Sequence, residues 1–142
     1  MRYLLLLLLV VGSVNLINAQ NDGDGKIPDA MQLSGADFEF SEETHDFGEF
    51  YEGKTVKVTF EFKNIGDQEL NIYKVQSGCS CIDIEWSMEP IKPGDGGQIT
   101  VYYNSTDRVG EFYKSIEVLS DAKTTTKIIR IKGLVKEDFF KD

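Results

Sequence analysis

Apolar side chains occupy every second position of residues 54–63, and polar side chains occupy the positions between them. The apolar members are Val56, Val58, Phe60 and Phe62. A period of two is that of a β-strand with one face in a core and the other in water. This run therefore predicts a half-buried strand, and it makes a helical reading of the same residues untenable.

Short runs of β-branched and aromatic residues recur beyond residue 36, separated by Gly, Asn, Asp and Pro. No segment has a convincing helical period. Residues 64–67 predict a hairpin turn in which glycine takes a positive φ, with the next strand beginning near Leu70. The prolines and glycines of residues 89–97 predict a connection between strands. The spacing of these signals is typical of a β-sandwich, and we expect seven or eight strands.

The first residues have the three zones of a secretory signal peptide: a positive start at Arg2, a short apolar core, and small residues up to Ala19. The apolar core is too short to cross a bilayer, so we expect cleavage after Ala19 and no integral membrane segment afterwards. Residues 20–35 are rich in Asn, Asp and Gly and predict a flexible leader. We expect one β-sandwich domain over residues 36–137 and a short tail over 138–142. Localisation is expected in the periplasm or outside the cell.

The chain is acidic, with a formal net charge of -9 over 142 residues. Loss of Arg2 with the signal peptide would make it one unit more negative. A surface of this charge repels nucleic acid and anionic lipid, so neither is an expected partner. We expect a protein partner instead, met at sheet edges or loops, with strand addition as one possible mode.

The only two cysteines are Cys79 and Cys81, with Ser80 between them. On an extended strand both sulfurs would lie on one face, with Cα atoms about 6.4 to 6.8 Å apart, at the long end of the disulfide range. A bond would then be strained and more easily reduced unless the backbone bends. Three readings stay open: a local disulfide, disulfide exchange, and a two-thiolate site for a soft ion such as copper. A closed apolar setting would favour the first, and exposure beside Lys74 would favour thiol chemistry.

Other candidate sites have weaker signals. His45 is the only histidine and precedes Asp46, but no nucleophile or metalloprotease motif accompanies the pair. Residues 22–25 resemble part of a calcium loop without its required glutamate, and residues 104–106 match the N-glycosylation pattern. Five aromatic residues offer a stacking surface or ordinary core packing, with the second favoured. They are Trp86, Tyr102, Tyr103, Phe112 and Tyr113.

Four segments together resemble a known bacterial family. They are residues 45–53, residues 60–67, residues 77–81 and the proline-glycine loop of residues 90–99. In this order they are similar to the family called domain of unknown function 1573, over about residues 38–135. The resemblance implies an exported immunoglobulin-like antiparallel β-sandwich and no established activity. Ser80 and Ile82 stand where that family's motif has glycine and threonine.

The sequence therefore predicts a single exported β-sandwich without catalytic machinery or a cofactor, acting by protein binding or as a structural part of the cell envelope. The alternative is a thiol-based role, in which Cys79 and Cys81 bind a copper ion or exchange a disulfide with another exported protein.

Overall fold

The computed structural model describes residues 35–139, and all of the regular structure in this part is β. Its strands are β1 (Phe38–Phe40), β2 (Thr44–Tyr51), β3 (Thr55–Asn64), β4 (Ile72–Ser77), β5 (Ile82–Trp86), β6 (Gly96–Asn104), β7 (Gly110–Ser120) and β8 (Thr126–Lys136). Within residues 35–139 no helix has the length and hydropathy to span a membrane. The predicted signal peptide, almost all of the leader, the acidic residues 22–25 and residues 140–142 lie outside the described residues.

The eight strands form two four-stranded sheets. Sheet A has the order β1-β3-β6-β5, and sheet B has the order β2-β8-β7-β4. Both faces that meet are apolar, which is the arrangement of a β-sandwich and confirms the predicted fold class. Between β1 and β8 the chain crosses from one sheet to the other five times, at β1/β2, β2/β3, β3/β4, β4/β5 and β6/β7.

One strand pair departs from the expected antiparallel arrangement. β2 pairs with β8 in parallel, whereas every other ladder is antiparallel within residues 35–139. The ladder is interrupted by a bulge between Asp46 and Glu49, where Gly48 has a φ of 66°, in the left-handed region that favours glycine. β2 follows β1 along the chain but lies in the other sheet, where it pairs with the distant β8. The local sequence around β2 therefore does not determine this pairing.

The core follows the predicted alternation. Phe60 and Phe62 of β3 are 1% and 5% exposed. In β6, Ile99 opposite Phe60 and Val101 opposite Val58 are fully buried. Tyr103 of sheet A stacks on Phe112 of sheet B with ring centroids 4.1 Å apart. Contacts of this kind join the two sheets and fix which face of each strand lies inside.

Three buried polar residues continue the same alternation at the ends of strands: Asn64, Ser105 and Ser120. Asn64 is fully buried and makes three side-chain hydrogen bonds. Its Nδ2 donates to the carbonyl oxygens of Gln68 and Ile91, each at 2.8 Å, and its Oδ1 accepts from the Gly66 amide at 2.9 Å. A buried amide satisfied in this way holds two loops to the end of β3.

The turn at residues 64–67 differs from the predicted hairpin. β3 belongs to sheet A and β4 to sheet B, so the turn leads out of one sheet rather than back along it. Gly66 does not have a positive φ; it is required because the backbone of residues 35–37 passes against it, and a Cβ atom there would lie 2.3 Å from the Gly35 carbonyl oxygen. Leu70 forms an isolated bridge with Ile91 ahead of β4.

Candidate functional site

The two cysteines lie in the crossover from β4 to β5 and are joined as a disulfide. Their Cα atoms are 5.1 Å apart, which is inside the range that a disulfide accepts. The expected longer spacing assumed an extended strand, but residues 78–81 form a turn between the two sheets. The bend that the small residues Gly78 and Ser80 permit is therefore present.

The two sulfurs differ in their surroundings. Cys81 is 3% exposed within the core, whereas Cys79 is partly buried and packs against the core from its edge. Lys74 is exposed on β4. This mainly apolar setting favours a disulfide over a metal-binding thiol pair. Among residues 35–139 no group of three His, Cys, Asp or Glu side chains is placed to hold a metal ion, and a two-thiolate copper site stays a prediction.

His45 and Asp46 lie in the edge strand β2 and serve different contacts. The His45 ring lies edge-on to Phe47 at 4.7 Å, and its Nδ1 is 3.3 Å from the Glu42 carboxylate. The Asp46 carboxylate accepts a hydrogen bond from the Gly48 amide at 2.8 Å. His45 therefore pairs with the exposed Glu42 carboxylate and not with the adjacent Asp46, which is bound by Gly48 and Lys132.

The five aromatic residues do not form one surface. Tyr103 and Phe112 lie in the core, while Tyr102 faces outward and donates its hydroxyl to Glu85 at 3.0 Å. That hydrogen bond is the main reason that the pKa of Tyr102 is raised. Trp86 is partly buried against the core, and its Nε1 is enclosed without a hydrogen-bond acceptor in residues 35–139. Tyr113 is 62% exposed and belongs to a different feature, described below.

The glycosylation pattern at residues 104–106 has a structural role. Asn104 is exposed, and its Oδ1 accepts a hydrogen bond from the Thr106 amide at 2.9 Å. Ser105 is fully buried and its hydroxyl donates to the Lys54 carbonyl oxygen at 2.9 Å. This pairing ties the chain after β6 to the start of β3.

A ladder of three ion pairs joins β2 to β8 on the outer face of sheet B. The pairs are Glu43 with Lys127, Asp46 with Lys132, and Glu49 with Lys136. The hydrogen bond from the Gly48 amide, and then that from Lys132, lower the pKa of Asp46. The hydrogen bond that Lys136 donates to Glu49 raises the pKa of Lys136. These ion pairs connect the parallel edge strand β2 to its neighbour β8.

We expect the stabilising effect of the Asp46 charge to disappear in acid. Because the pKa of Asp46 is lowered below 3.8 on folding, its contribution is present above that pH and is lost as pH falls through the folded-state value. The urea midpoint of the natural protein should exceed that of Asp46→Asn at pH 6, by a small margin at this exposed site. Below pH about 3.8 the two midpoints should converge; a difference independent of pH would contradict the assignment.

The exposed apolar surface of sheet B is concentrated at one corner, where β2 and β8 end and β7 begins. Two depressions meet there and share Leu134; one has a volume of about 600 Å³ and the other of about 430 Å³. We call this surface the corner groove. Besides the buried Phe112 and Val135, its apolar side chains are Tyr51, Val109, Tyr113, Leu134 and Phe139. Four of them are half exposed or more, with Phe139 at 81%.

The rim of the corner groove is mostly acidic. Glu49, Glu111 and Glu137 line it, with Lys132 and Lys136 as the basic members. Glu49 is held by Lys136, and Lys132 by Asp46. Glu111 and Glu137 are exposed. The groove therefore combines aromatic side chains with an acidic border.

The outer face of sheet A has a different character. Its polar side chains pair across strands, as Thr59 does with Thr100 at 3.0 Å and Glu61 with Gln98 at 3.5 Å. Cross-strand pairs of this kind are suited to contact with water. The corner groove is thus the surface that departs most from a solvated sheet face.

The family model of DUF1573, described as a protein of unknown function, matches residues 38–135. This chain belongs to the DUF1573 family. The match spans the strands from β1 almost to the end of β8, and it confirms the resemblance inferred from the motifs. No curated protein sequence matches this DUF1573 chain.

Solved structures share the fold of this DUF1573 domain at low sequence identity. A protein of unknown function from Porphyromonas gingivalis W83 aligns over 70% of this chain and 46% of its own, with 17% identity and a TM-score of 0.62. PapD-like domain 7 of human CEP192 aligns over 71% and 86%, with 10% identity and a TM-score of 0.59. The YadV chaperone aligns over 75% and 54%, with 18% identity and a TM-score of 0.50. This chain thus spans about half the length of the Porphyromonas protein.

The sequence patterns did not predict most of the residues of the corner groove as a site. Tyr113 was noted, and its outward direction follows because its neighbour Phe112 is on the core face. Tyr51 and Leu134 come together only because β2 runs beside β8, which no local pattern reports. The burial of Asn64 could have been predicted, because Asn64 continues the alternation that places Phe60 and Phe62 on the buried face of β3.

Proposed function

We propose that this DUF1573 protein is an exported, non-catalytic module of the cell envelope that binds a protein partner through the corner groove. Export rests on the signal-peptide composition of residues 1–19. The observation that carries the binding proposal is the clustering of exposed aromatic side chains at one corner of sheet B. The contacts of His45 and Asp46, which are used within the fold, support a non-catalytic role.

Aromatic side chains at the surface are suited to binding because they bury a large area with few rotatable bonds. Tyr51, Tyr113 and Phe139 are 50%, 62% and 81% exposed, so at least half of the surface of each remains to be covered. Contiguous apolar patches rimmed by polar groups mark interaction sites more often than scattered apolar residues do. The depressions around Leu134 would receive apolar side chains of the partner.

The acidic rim specifies the chemistry of the partner. Glu111 and Glu137 border the groove, and the net charge of the whole chain is -9. Attraction between unlike charges steers association and selects the partner more than it adds affinity. We therefore commit to a protein segment with apolar or aromatic side chains flanked by Lys or Arg.

Docking by side chains is better supported than addition of a strand. β1 has three residues, and the edge strands β2 and β4 each contain an irregularity in register. Short or bulged edges discourage pairing with another chain. β5 is regular but has only five residues. Because none of these edges offers a long, regular strand for pairing, we favour the corner groove as the binding surface.

The test uses the protein purified from the exporting cell and a random peptide library displayed on phage. Selected peptides should combine Lys or Arg with aromatic or aliphatic residues. Their affinity, measured by fluorescence anisotropy, should fall roughly tenfold or more in Tyr113→Ala, because truncating a central aromatic anchor removes a large share of binding energy. It should also fall as salt rises from roughly 0.05 to 0.5 M.

Tyr73→Ala is the matched control. Tyr73 is also in sheet B and is 64% exposed, but it lies on β4, at the other edge of the sheet from β2. Its replacement should leave affinity within about twofold, as expected of a residue outside the interface. Equal losses in both variants, or peptides without basic residues, would overturn the proposed site and its charge selectivity.

A further inference from the structure

The disulfide between Cys79 and Cys81 is an inefficient structural staple. The stabilisation that a disulfide gives increases with the logarithm of the number of residues in the loop that it closes. This disulfide joins residues only two positions apart. The crossover is already held by backbone hydrogen bonds: the Cys81 carbonyl accepts from the Asn104 amide at 2.9 Å, and the Cys79 carbonyl accepts from the Ile82 amide at 3.2 Å. Stability alone therefore gives little reason for the bond.

The two sulfurs are unequal in access. Cys81 is 3% exposed, and Cys79 is the more exposed of the two, at the edge of the core. Gly78 beside it has open space where a Cβ atom would lie. A depression of about 440 Å³ extends from Gly78 along the exposed surface of β4 and β7. Cys79 therefore directly follows a residue that lines this depression and is the more exposed cysteine, whereas Cys81 is buried.

We propose that this disulfide exchanges with thiols of another exported protein and that Cys79 is the sulfur which forms the mixed disulfide. Cys81 is the buried thiol that leaves when the mixed disulfide forms and that displaces the partner when the exchange runs in reverse. This role is separate from the corner groove and does not rest on it. The depression beside Gly78 is lined by Gln76, Ser77, Ser115 and Glu117, so it suits a polar segment around the reacting cysteine.

In the first step one sulfur–sulfur bond breaks and another forms. A partner thiolate attacks Cys79 Sγ, the bond to Cys81 breaks, and Cys81 Sγ leaves with the electron pair and takes a proton from water. The product is a disulfide between Cys79 and the partner. In the second step another thiolate of the same partner attacks the partner's sulfur, and Cys79 leaves as a thiolate. The partner gains a disulfide and this protein is reduced by two electrons.

One contact supports Cys79 as the departing sulfur of the second step. The Cys81 amide donates to Cys79 Sγ at 3.3 Å. A backbone donor at this position stabilises negative charge on sulfur, and thiol exchange is faster when the leaving thiolate is stabilised. The same amide would favour attack by reduced Cys79 on a partner disulfide, so Cys79 forms the mixed disulfide in both directions.

The test uses the unaltered, oxidised protein and reduced glutathione as the probe thiol. The reaction is stopped with an alkylating reagent, and peptide mass spectrometry locates the glutathione. We expect the mixed disulfide on Cys79 in at least roughly tenfold excess over Cys81, because access decides which sulfur is attacked. Glutathione spread equally over both cysteines would overturn the assignment. A disulfide that resists millimolar glutathione would show a staple and overturn the exchange role.

Single variants supply the second measurement. In Cys81→Ser the remaining Cys79 should react with oxidised glutathione roughly ten times faster than Cys81 does in Cys79→Ser, because reactivity follows exposure and thiolate stabilisation. Circular dichroism establishes that both variants keep the β-sandwich. If either variant is unfolded, glutathione mapping on the unaltered protein decides alone. Equal rates in two folded variants would contradict the proposal.

Discussion

Replacing Asn64 with alanine is expected to lower the free energy of unfolding by roughly 3 kcal/mol, a large share of the stability of an ordinary domain. The substitution removes three hydrogen bonds from a fully buried side chain. It leaves the Gly66 amide and the Gln68 carbonyl oxygen without this partner and opens a cavity at the end of β3. Both effects act in the same direction.

The measurement is urea unfolding followed by circular dichroism, with Asn71→Ala as the matched control. Asn71 is only partly buried, and its side chain bonds to the exposed Asp121 carboxylate at 2.7 Å. Its loss should cost less than about 1 kcal/mol because water replaces the missing partner. If Asn64→Ala unfolded at the same urea concentration as Asn71→Ala, the buried network would not have the stabilising role assigned to it.

Replacing Gly66 with alanine is expected to destabilise the protein by about 3 kcal/mol, at the upper end of the cost of overpacking. The added Cβ atom would lie 2.3 Å from the Gly35 carbonyl oxygen and 2.5 Å from the Asp37 amide nitrogen. Both are backbone atoms, so no side-chain rotation relieves the clash. Moving them would disturb the hydrogen bond from the Ile65 amide to the Asp37 carbonyl oxygen, which is 2.9 Å long.

Gly78→Ala provides the comparison for Gly66→Ala. A Cβ atom at Gly78 has no neighbour within 4 Å, and Gly78 does not have a positive φ. Alanine there should change the melting temperature by no more than a few degrees, whereas Gly66→Ala should lower it by roughly 10 °C or more. Similar melting temperatures for the two variants would contradict the proposed close approach of residues 35–37 to this turn.

The two largest effects fall at the same end of the sandwich. Asn64 exchanges backbone hydrogen bonds with the loop before β6: its amide donates to Asp95, and its carbonyl oxygen accepts from Gly94, each at 2.9 Å. Its side chain reaches the loop that bears Ile91. The turn after β3 therefore joins the first described residues, the proline-glycine loop and the core.

The alternating runs predicted much of the fold because a period of two identifies both the strand and its buried face. Val58, Phe60 and Phe62 lie inside as expected, and so do Ile116 and Val118 of β7. The motifs also identified the family, whose model matches residues 38–135. The turn after β3 was interpreted wrongly, because its residue types suit a hairpin and only the distant strand pairing shows that the chain leaves the sheet.

For the candidate sites as well, the sequence predicted what depends on local spacing and did not predict what depends on tertiary packing. The sequence placed the two cysteines within reach of each other, since their separation along the chain allows little else. It did not show that Cys81 is buried and Cys79 more exposed, because that depends on how the β4–β5 crossover meets the core. It also did not show the corner groove, which needs β2 to lie parallel to β8.

By itself, the sequence determined the all-β class, the inward face of most strands, the family and the acidic charge, because these depend on residue type and on spacing over a few positions. The tertiary structure decided the strand order, the parallel β2–β8 pair, the roles of Asn64 and Gly66, and the unequal exposure of the two cysteines. Each of these depends on which distant segment packs against a given residue, and the free energy of that packing is not contained in any local pattern.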